Sequence, residues 1–254
     1  LTLLQQIEAP PAWRRLAFVS DLHLGPETAA TQQALERWLG RCEADAVFIL
    51  GDLFEAWVGD DALVLPHAQR LAAALRDFAR PLFFLHGNRD FLLGTTMAEA
   101  CGMQLLAETC VLQAFGERLL LTHGDAQCLD DAAYQAFRAQ VRQPAWQQGF
   151  LSRPLPERLQ IAAQMRDASQ RSQGAQKAMG LPFADPDAAR CREQLQRAGC
   201  RLMIHGHTHR PGSYELGDGL ARLVLSDWDC ESEPRRGDAL VWSPDGWQRL
   251  QPWA

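Results

Sequence analysis

Seven side chains stand where short apolar runs end, and their types suit one kind of chemistry. Asp21 and His23 follow 16–19, Asp52 follows 46–50 and Asn88 follows 82–85. His123 follows 119–121, while His205 and His207 follow 202–204. Apolar runs of this length read as buried strands, and ligands of open sheets collect beyond the carboxyl ends of strands. The clusters therefore point to one site, with Asp52 of Leu50-Gly51-Asp52 at its centre. Carboxylate and amide oxygens beside imidazoles, with no thiolate, suit Mn²⁺, Fe²⁺ or Zn²⁺ rather than Cu(I) or an iron–sulfur cluster. So many ligands exceed the needs of one transition-metal ion and suit two ions sharing a carboxylate, for which Asp52 is the natural bridge. Two ions about 3.5–4 Å apart clamp a phosphoryl oxygen and make water nucleophilic near neutral pH. The chemistry is hydrolysis of a phosphoester or phosphoanhydride.

Each residue alone has a plainer explanation. A lone Asp after a strand is usually a helix cap or a turn residue, and a lone His is more often structural than a ligand. The joint pattern reverses that preference. Asp90, Asp125 and His209 lie within the same clusters, either as orienters of the ligands or as turn residues. His67 and His86 read as structural.

The elements that must position these groups alternate. Strands at 16–19, 46–50 and 81–85 are separated by helical spacing over 31–42 (Leu35, Trp38, Leu39) and 66–79 (Leu71, Ala74, Leu75, Phe78). This β-α-β-α-β order predicts parallel pairing with helices as crossovers. A short helix is predicted at 95–101 and a hairpin over 109–121 turning at Gly116. Helices follow at 130–141, 155–171 and 187–198, then strands at 213–216, 220–225, 239–242 and 247–250. Residues 1–15 read as a loose lead-in, because Pro10-Pro11 breaks any helix. The stretch 144–180 is interrupted by Pro144, Gly149, Pro154, Pro156, Gly174 and Gly180. The expected division is a β-rich α/β body, 1–129 and 183–254, with a helical insertion at 130–182.

Composition narrows the class. The 254 residues suffice for one large domain with an insertion. A formal net charge of -6 argues against nucleic acid or any general polyanion as partner. Seven Cys without a C-x-x-C pair suggest reduced thiols in a cytosolic protein. No stretch reaches transmembrane length and 1–15 has no continuous apolar region, so a soluble chain is expected, one that touches a membrane only at its surface. Nothing in the sequence names a protein partner.

The series Asp21-x-His23, Gly51-Asp52, Gly87-Asn88, His123-Gly124 and Gly206-His207-Thr208-His209 resembles the calcineurin-like metallophosphoesterase superfamily. The resemblance implies a four-layer α-β-β-α sandwich, with Asp52 bridging two metal ions. One ion would take Asp21, His23 and His207, the other Asn88, His123 and His205. Many members continue Gly-Asn with His, whereas this chain has Arg89. The stretch from His86 through Gly94, the stretch from Gly51 through Asp61, Asp130 through Arg138 and Ile204 through Pro211 resemble the UDP-2,3-diacylglucosamine pyrophosphatases of the lipid A pathway.

That resemblance implies hydrolysis of UDP-2,3-diacylglucosamine to UMP and 2,3-diacylglucosamine 1-phosphate, with two Mn²⁺ ions per chain. The substrate would be a lipid nucleotide, met peripherally at the cytoplasmic face of the inner membrane. Asp52, Asn88, Arg89 and His205 would act at the reacting group, Arg89 neutralising pyrophosphate charge. Residues 130–182 would form a lid over the acyl chains, with Trp146, Phe150, Leu155, Leu159, Ile161 and Met165 among its apolar residues. Arg138, Arg142, Arg153, Arg158 and Arg166 offer charge toward anionic headgroups, or are ordinary solvated surface. Asp131, Tyr134, Ser169, Gln173 and Lys177 would contact the sugar and phosphates beside Asn88, Arg89 and His205. Gln173 stands where those proteins carry Asn, and one extra residue lies between Ser169 and Lys177. Rival readings are a phosphoesterase for dinucleotides or cyclic nucleotides, against which Arg89 and the insertion speak, and a non-catalytic scaffold, which would have lost ligands.

Lys177 is the only lysine beside 24 arginines. An ammonium is a compact charge on a slender stem, whereas guanidinium needs a wider planar pocket. Lys177→Ala is expected to weaken kcat/KM on the lipid nucleotide by about 1–3 kcal/mol, the range of a charged hydrogen bond. Lys177→Arg should recover only part of the loss, with metal content intact; wild-type kinetics in both variants would place Lys177 on the solvated surface.

Overall fold

The computed structural model describes residues 4–179 and 184–253, with backbone only for 170 and 172–177. Two six-stranded sheets stack face to face. The first contains β2 (Leu16–Val19), β3 (Ala46–Leu50), β4 (Leu82–Leu85) and β5 (Met103–Leu105), all parallel, extended antiparallel by β11 (Ala239–Ser243) and β12 (Gly246–Leu250). The second runs in the order β1 (Gln5–Glu8), β6 (Thr109–Ala114), β7 (Glu117–Thr122), β8 (Leu202–His205), β10 (Leu220–Val224), β9 (Gly212–Gly217).

Alternation of side chains along the strands builds the layers. Leu16, Phe18, Phe48 and Leu50 point inward and meet Leu119, Leu121 and Ile204 of the other sheet. Ala17, Val19, Val47 and Ile49 point outward onto α1 (Ala29–Arg41), α2 (Pro66–Asp77) and α3 (Thr95–Cys101). Val111, Leu120 and Met203 of the second sheet receive Cys191 and Leu195 of α7 (Ala188–Ala198). The order helices, sheet, sheet, helix is the expected four-layer sandwich.

Three further helices follow the hairpin: α4 (Ala132–Val141), α5 (Pro144–Leu151) and α6 (Leu155–Ala178). They sit against the body rather than apart from it. Phe150 is buried in the core outside the first sheet, and Trp146, Leu155, Leu159 and Ile161 pack on that same core. Trp146 stacks on Phe150 with centroids 5.0 Å apart. Buried Arg158 donates to the Val58 carbonyl and pairs with Asp61, tying α6 to the body.

Several sequence expectations need correction. Residues 1–15 are not all loose: β1 pairs in parallel with β6. Only Ile7 of that strand is buried, so its alternation is too short to register. The prolines counted as breaks at 144 and 156 stand in the first turns of α5 and α6, where a missing N–H costs nothing. The predicted helix 155–171 runs on to Ala178 through Gly174. Each of the five arginines offered for anionic headgroups has an intramolecular partner. Arg138 meets Asp125 and Glu108, Arg142 the Gly87 carbonyl, Arg153 Glu157, Arg158 Asp61, and Arg166 Glu55. All seven cysteines are free, and six are buried.

Phe18, Phe48 and Phe83 stack across three neighbouring strands inside the sandwich, with centroids 5.2 Å and 4.7 Å apart. Phe48→Ala would leave a cavity between sheets and should lower stability by about 3–5 kcal/mol, read as a lower urea midpoint with an unchanged slope.

Candidate metal centre

The predicted residues converge at the carboxyl ends of β2, β3 and β4 in one sheet and β7 and β8 in the other. Backbone hydrogen bonds join the loops: Asp21 N–H to Gly51 O (3.1 Å), His23 N–H to Asp52 O (3.0 Å) and Gly206 N–H to His123 O (2.9 Å). Glycine is needed where they cross. A Cβ on Gly51 (φ +88°) would lie 2.6 Å from Gly87 and from His123 Nδ1, and one on Gly87 would collide with the Asp52 carboxylate. Asp21, His23, Asp52, His207 and His209 all adopt left-handed backbone. Asp and His enter that region more readily than most residues, and such strain concentrates at functional sites.

Each carboxylate is held by one oxygen and presents the other. Asp21 Oδ2 accepts from Ser20 Oγ (2.6 Å) and the His207 N–H (2.9 Å). Asp21 Oδ1 is buried without a hydrogen-bond partner, as is His23 Nδ1; His209 Nε2 approaches this oxygen to 3.3 Å. Asp52 Oδ1 accepts the Arg89 N–H at 2.9 Å, while Oδ2 lies 3.6 Å from His123 Nε2. His123 Nδ1 lies 2.8 Å from the Leu50 carbonyl, so an Nδ1–H donates there and Nε2 is the nitrogen that faces the site. Asn88 Oδ1 lies 3.0 Å from His123 Nε2 and 2.8 Å from His207 Nδ1.

Two groups among the described residues are close enough to hold a cation: Asp21, His23 and His209, and Asp21, Asp52 and His123. Asp21, rather than Asp52, is common to both. His205 faces elsewhere, with Nδ1 2.9 Å from Gly206 O and Nε2 3.2 Å from Arg222 Nη1. Buried carboxylate and imidazole atoms without partners fit a divalent metal ion, whose charge would offset the desolvation these groups suffer.

The charges are out of balance without one. Burial, with Asp90 and Asp21 nearby, pushes the Asp52 carboxyl up to about 7 against the pull of His123 and Arg89. Burial disfavours charge on His123 too, but Asp52, Asp21 and Asp125 outweigh it and raise the imidazole to about 9. Burial and then Arg222 lower His205 to about 3; burial and then His123 lower His207 to about 4. Burial works to raise Asp21, yet His209, His123 and His23 hold it below the usual carboxylate range.

The orienting residues divide. Asp90 is fully buried and accepts the Leu53 and Gly87 N–H groups, fixing the turns around Asp52 and Asn88. Asp125 accepts from Tyr134 Oη at 2.6 Å and from Arg138 Nε at 2.8 Å. His209 stands beside His23, Nε2 to Nε2 at 3.2 Å, and His86 Nε2 meets the Leu93 carbonyl at 2.7 Å. Of the expected substrate residues, Asp131 caps α4 by accepting the Tyr134 N–H, and the Tyr134 ring lies 6.0 Å from His207. Arg89 Nε is 3.6 Å from Asp52 Oδ2. Ser169 is exposed on α6, and the side chains of Gln173 and Lys177 lie outside the described residues. Sequence reasoning missed Glu55, which meets Arg89 at 2.5 Å and His23 at 3.5 Å. Its place three residues beyond Asp52, in the turn after a strand, was the available signal.

A family model for calcineurin-like phosphoesterases matches residues 14–211. The chain belongs to that family. Within the calcineurin-like phosphoesterases it is 43% identical over 249 residues to the UDP-2,3-diacylglucosamine hydrolase of Bordetella pertussis, covering 94% of this chain and 93% of the relative. The protein of that name from Stenotrophomonas maltophilia strain K279a is 42% identical over 90% of this chain and 96% of its own. The one from Chromobacterium violaceum is 46% identical over 83% and 89%. The family fold implies a divalent metal, and the groups around Asp21 supply candidate ligands.

A metal ion requires its ligands deprotonated. Asp52 and His123 keep protons up to about 7 and about 9 in the metal-free protein. Binding of a divalent metal at pH 7 should therefore release protons, and affinity should rise as pH increases from about 6 to about 9. Calorimetry in two buffers of different ionisation enthalpy reads the release; identical heats in both would show that the pair holds no proton.

Proposed function

We propose that this phosphoesterase hydrolyses the pyrophosphate bond of UDP-2,3-diacylglucosamine, giving UMP and 2,3-diacylglucosamine 1-phosphate in lipid A biosynthesis. The observation that carries the reading is identity above 40% to hydrolases of that name over nearly the whole of both chains, joined to a site whose buried atoms fit a divalent metal. The metal centre is read as two Mn²⁺ ions, held by Asp21, His23, Asp52, Asn88, His123, His207 and His209; His209 takes the place expected of His205, whose ring is turned toward Arg222. When bound, such ions supply Lewis-acid polarisation of a phosphoryl oxygen and a lowered pKa for water.

The chain's own residues account for the rest. Asp52 stands between the two sheets, where Arg89 N–H and His123 define its two oxygens. Arg89 carries a permanent charge within reach of a diphosphate, and a guanidinium fork matches paired phosphate oxygens. Asp131, Tyr134, Ser169, Gln173 and Lys177 are assigned to the sugar and phosphates. Residues 130–182 are assigned as the lid over the acyl chains. Trp146 and Phe150 are committed to the core, so exposed Phe137 and Met165 are the better candidates for lipid contact. Phe137 stands one turn beyond Tyr134, on the same side of α4. The enzyme is placed at the cytoplasmic face of the inner membrane as a peripheral protein; among the described residues no helix is long and apolar enough to cross a membrane.

Purified protein with Mn²⁺ should release UMP from UDP-2,3-diacylglucosamine, at least about 100-fold more efficiently in kcat/KM than it cleaves a generic aryl phosphodiester, a gap of about 2.7 kcal/mol. Equal efficiency on both would favour a general phosphodiesterase. Replacing Phe137 and Met165 together by Ser should weaken turnover of the diacylated substrate and leave the aryl diester unchanged. Parallel losses would instead assign both residues to packing.

A further inference from the structure

Glu55 sits where three cationic or ionisable groups meet. Its Oε1 is 2.5 Å from Arg89 Nη1 and 3.7 Å from Arg166 Nε on α6, and its Oε2 is 3.5 Å from His23 Nδ1. The carboxylate is largely buried, so these charges are poorly screened by water. Its backbone is held: Glu55 N–H donates to Leu24 O at 3.0 Å, next to the bridge between Leu24 and Phe54. The Arg89 backbone is held as well, by its N–H on Asp52 Oδ1 and its carbonyl on the Trp57 N–H. What these bonds leave open is the direction of the long Arg89 side chain. Glu55 is its closest anionic partner and Asp52 Oδ2, at 3.6 Å, the more distant one.

We propose that Glu55 is a positioning residue for the hydrolysis: it holds the Arg89 guanidinium at the rim of the metal centre and yields part of that contact to the incoming diphosphate. The inference rests on the reading of the reaction given above. Two consequences of opposite kind follow from one contact. A fixed guanidinium needs no reorganisation as negative charge builds on the phosphoryl oxygens, so loss of Glu55 slows the chemical step. The same carboxylate competes with the diphosphate for Arg89 and repels it, so loss of Glu55 leaves ground-state binding unchanged or tighter. A role in packing alone produces neither pattern.

The test is a double-mutant cycle with Glu55→Gln, Arg89→Ala and the pair, each checked for folding and Mn²⁺ content. Glu55→Gln, which keeps the shape and removes the charge, should lower kcat for UMP release by about tenfold or more with KM unchanged or lower. In the Arg89→Ala background it should change kcat by less than about twofold, because the partner it positions is gone. A second readout uses metal-free protein: UDP should bind Glu55→Gln several-fold more tightly than wild type, and that gain should vanish without Arg89. Equal losses of kcat in both backgrounds would overturn the proposal, as would a raised KM at constant kcat. Metal loss that accounts for the lost turnover would overturn it too, transferring Glu55 to the support of His23. If the wild type releases no UMP, the reading of the reaction fails, and UDP binding still decides whether Glu55 governs Arg89.

Discussion

The close approach of two sheets at Gly51, Gly87 and His123 is the constraint on which the site depends. His123 at the end of β7 contacts the Leu50 carbonyl at the end of β3, across the sandwich. That contact fixes the ring nitrogen facing Asp52. A Cβ on Gly51 would lie 2.6 Å from His123 Nδ1, and one on Gly87 would collide with the Asp52 carboxylate beside it. Behind it the stacked Phe18, Phe48 and Phe83 set the spacing of the sheets. The metal centre is thus a seam between two halves of a core, and packing errors in the sandwich reach the ligands directly.

Burial then decides the electrostatics. The seam takes Asp21, Asp52, His123 and His205 out of water together. None of these charges is tolerable alone in such a place. The protein without metal settles the matter with protons, retained by Asp52 and His123, and with Asp21 held ionised among imidazoles. The helices after the hairpin reach this region through arginines: Arg142, just past α4, donates to the Gly87 carbonyl, and Arg166 of α6 faces Glu55. Of the five arginines read from sequence as headgroup attractants or solvated surface, four join these helices to the rest of the chain, while Arg153 meets Glu157 among them.

Much of the architecture was legible in the chain. Buried parallel strands announce themselves as continuous apolar runs, which is why 16–19 and 46–50 coincide with β2 and β3. β1 escaped because an edge strand with one buried residue carries almost no pattern. α5 shows no signal of its own because Pro144 reads as a breaker, whereas at the first turn it starts the helix. At the site, residue types and strand-end positions named the groups now gathered in the seam. Distances and ring directions were not available from spacing: Asp21 rather than Asp52 joins both cation-sized groups, His205 turns toward Arg222, and Glu55 was overlooked. A carboxylate beyond a strand signals its presence, but only the fold says which guanidinium it meets.

The left-handed backbone at Asp21, His23, Asp52, His207 and His209 restricts what this site can become. Residues that enter that conformation with least strain are Gly, Asn, Asp and His, and the last three offer oxygen or nitrogen donors. A β-branched or bulky replacement is penalised by its own main chain before its chemistry is tested. Drift at these positions is therefore channelled toward ligands for hard and borderline cations, and a thiolate-rich site for soft metals lies off the accessible path. The repertoire of metals open to descendants of this sequence is bounded by the shape of its turns.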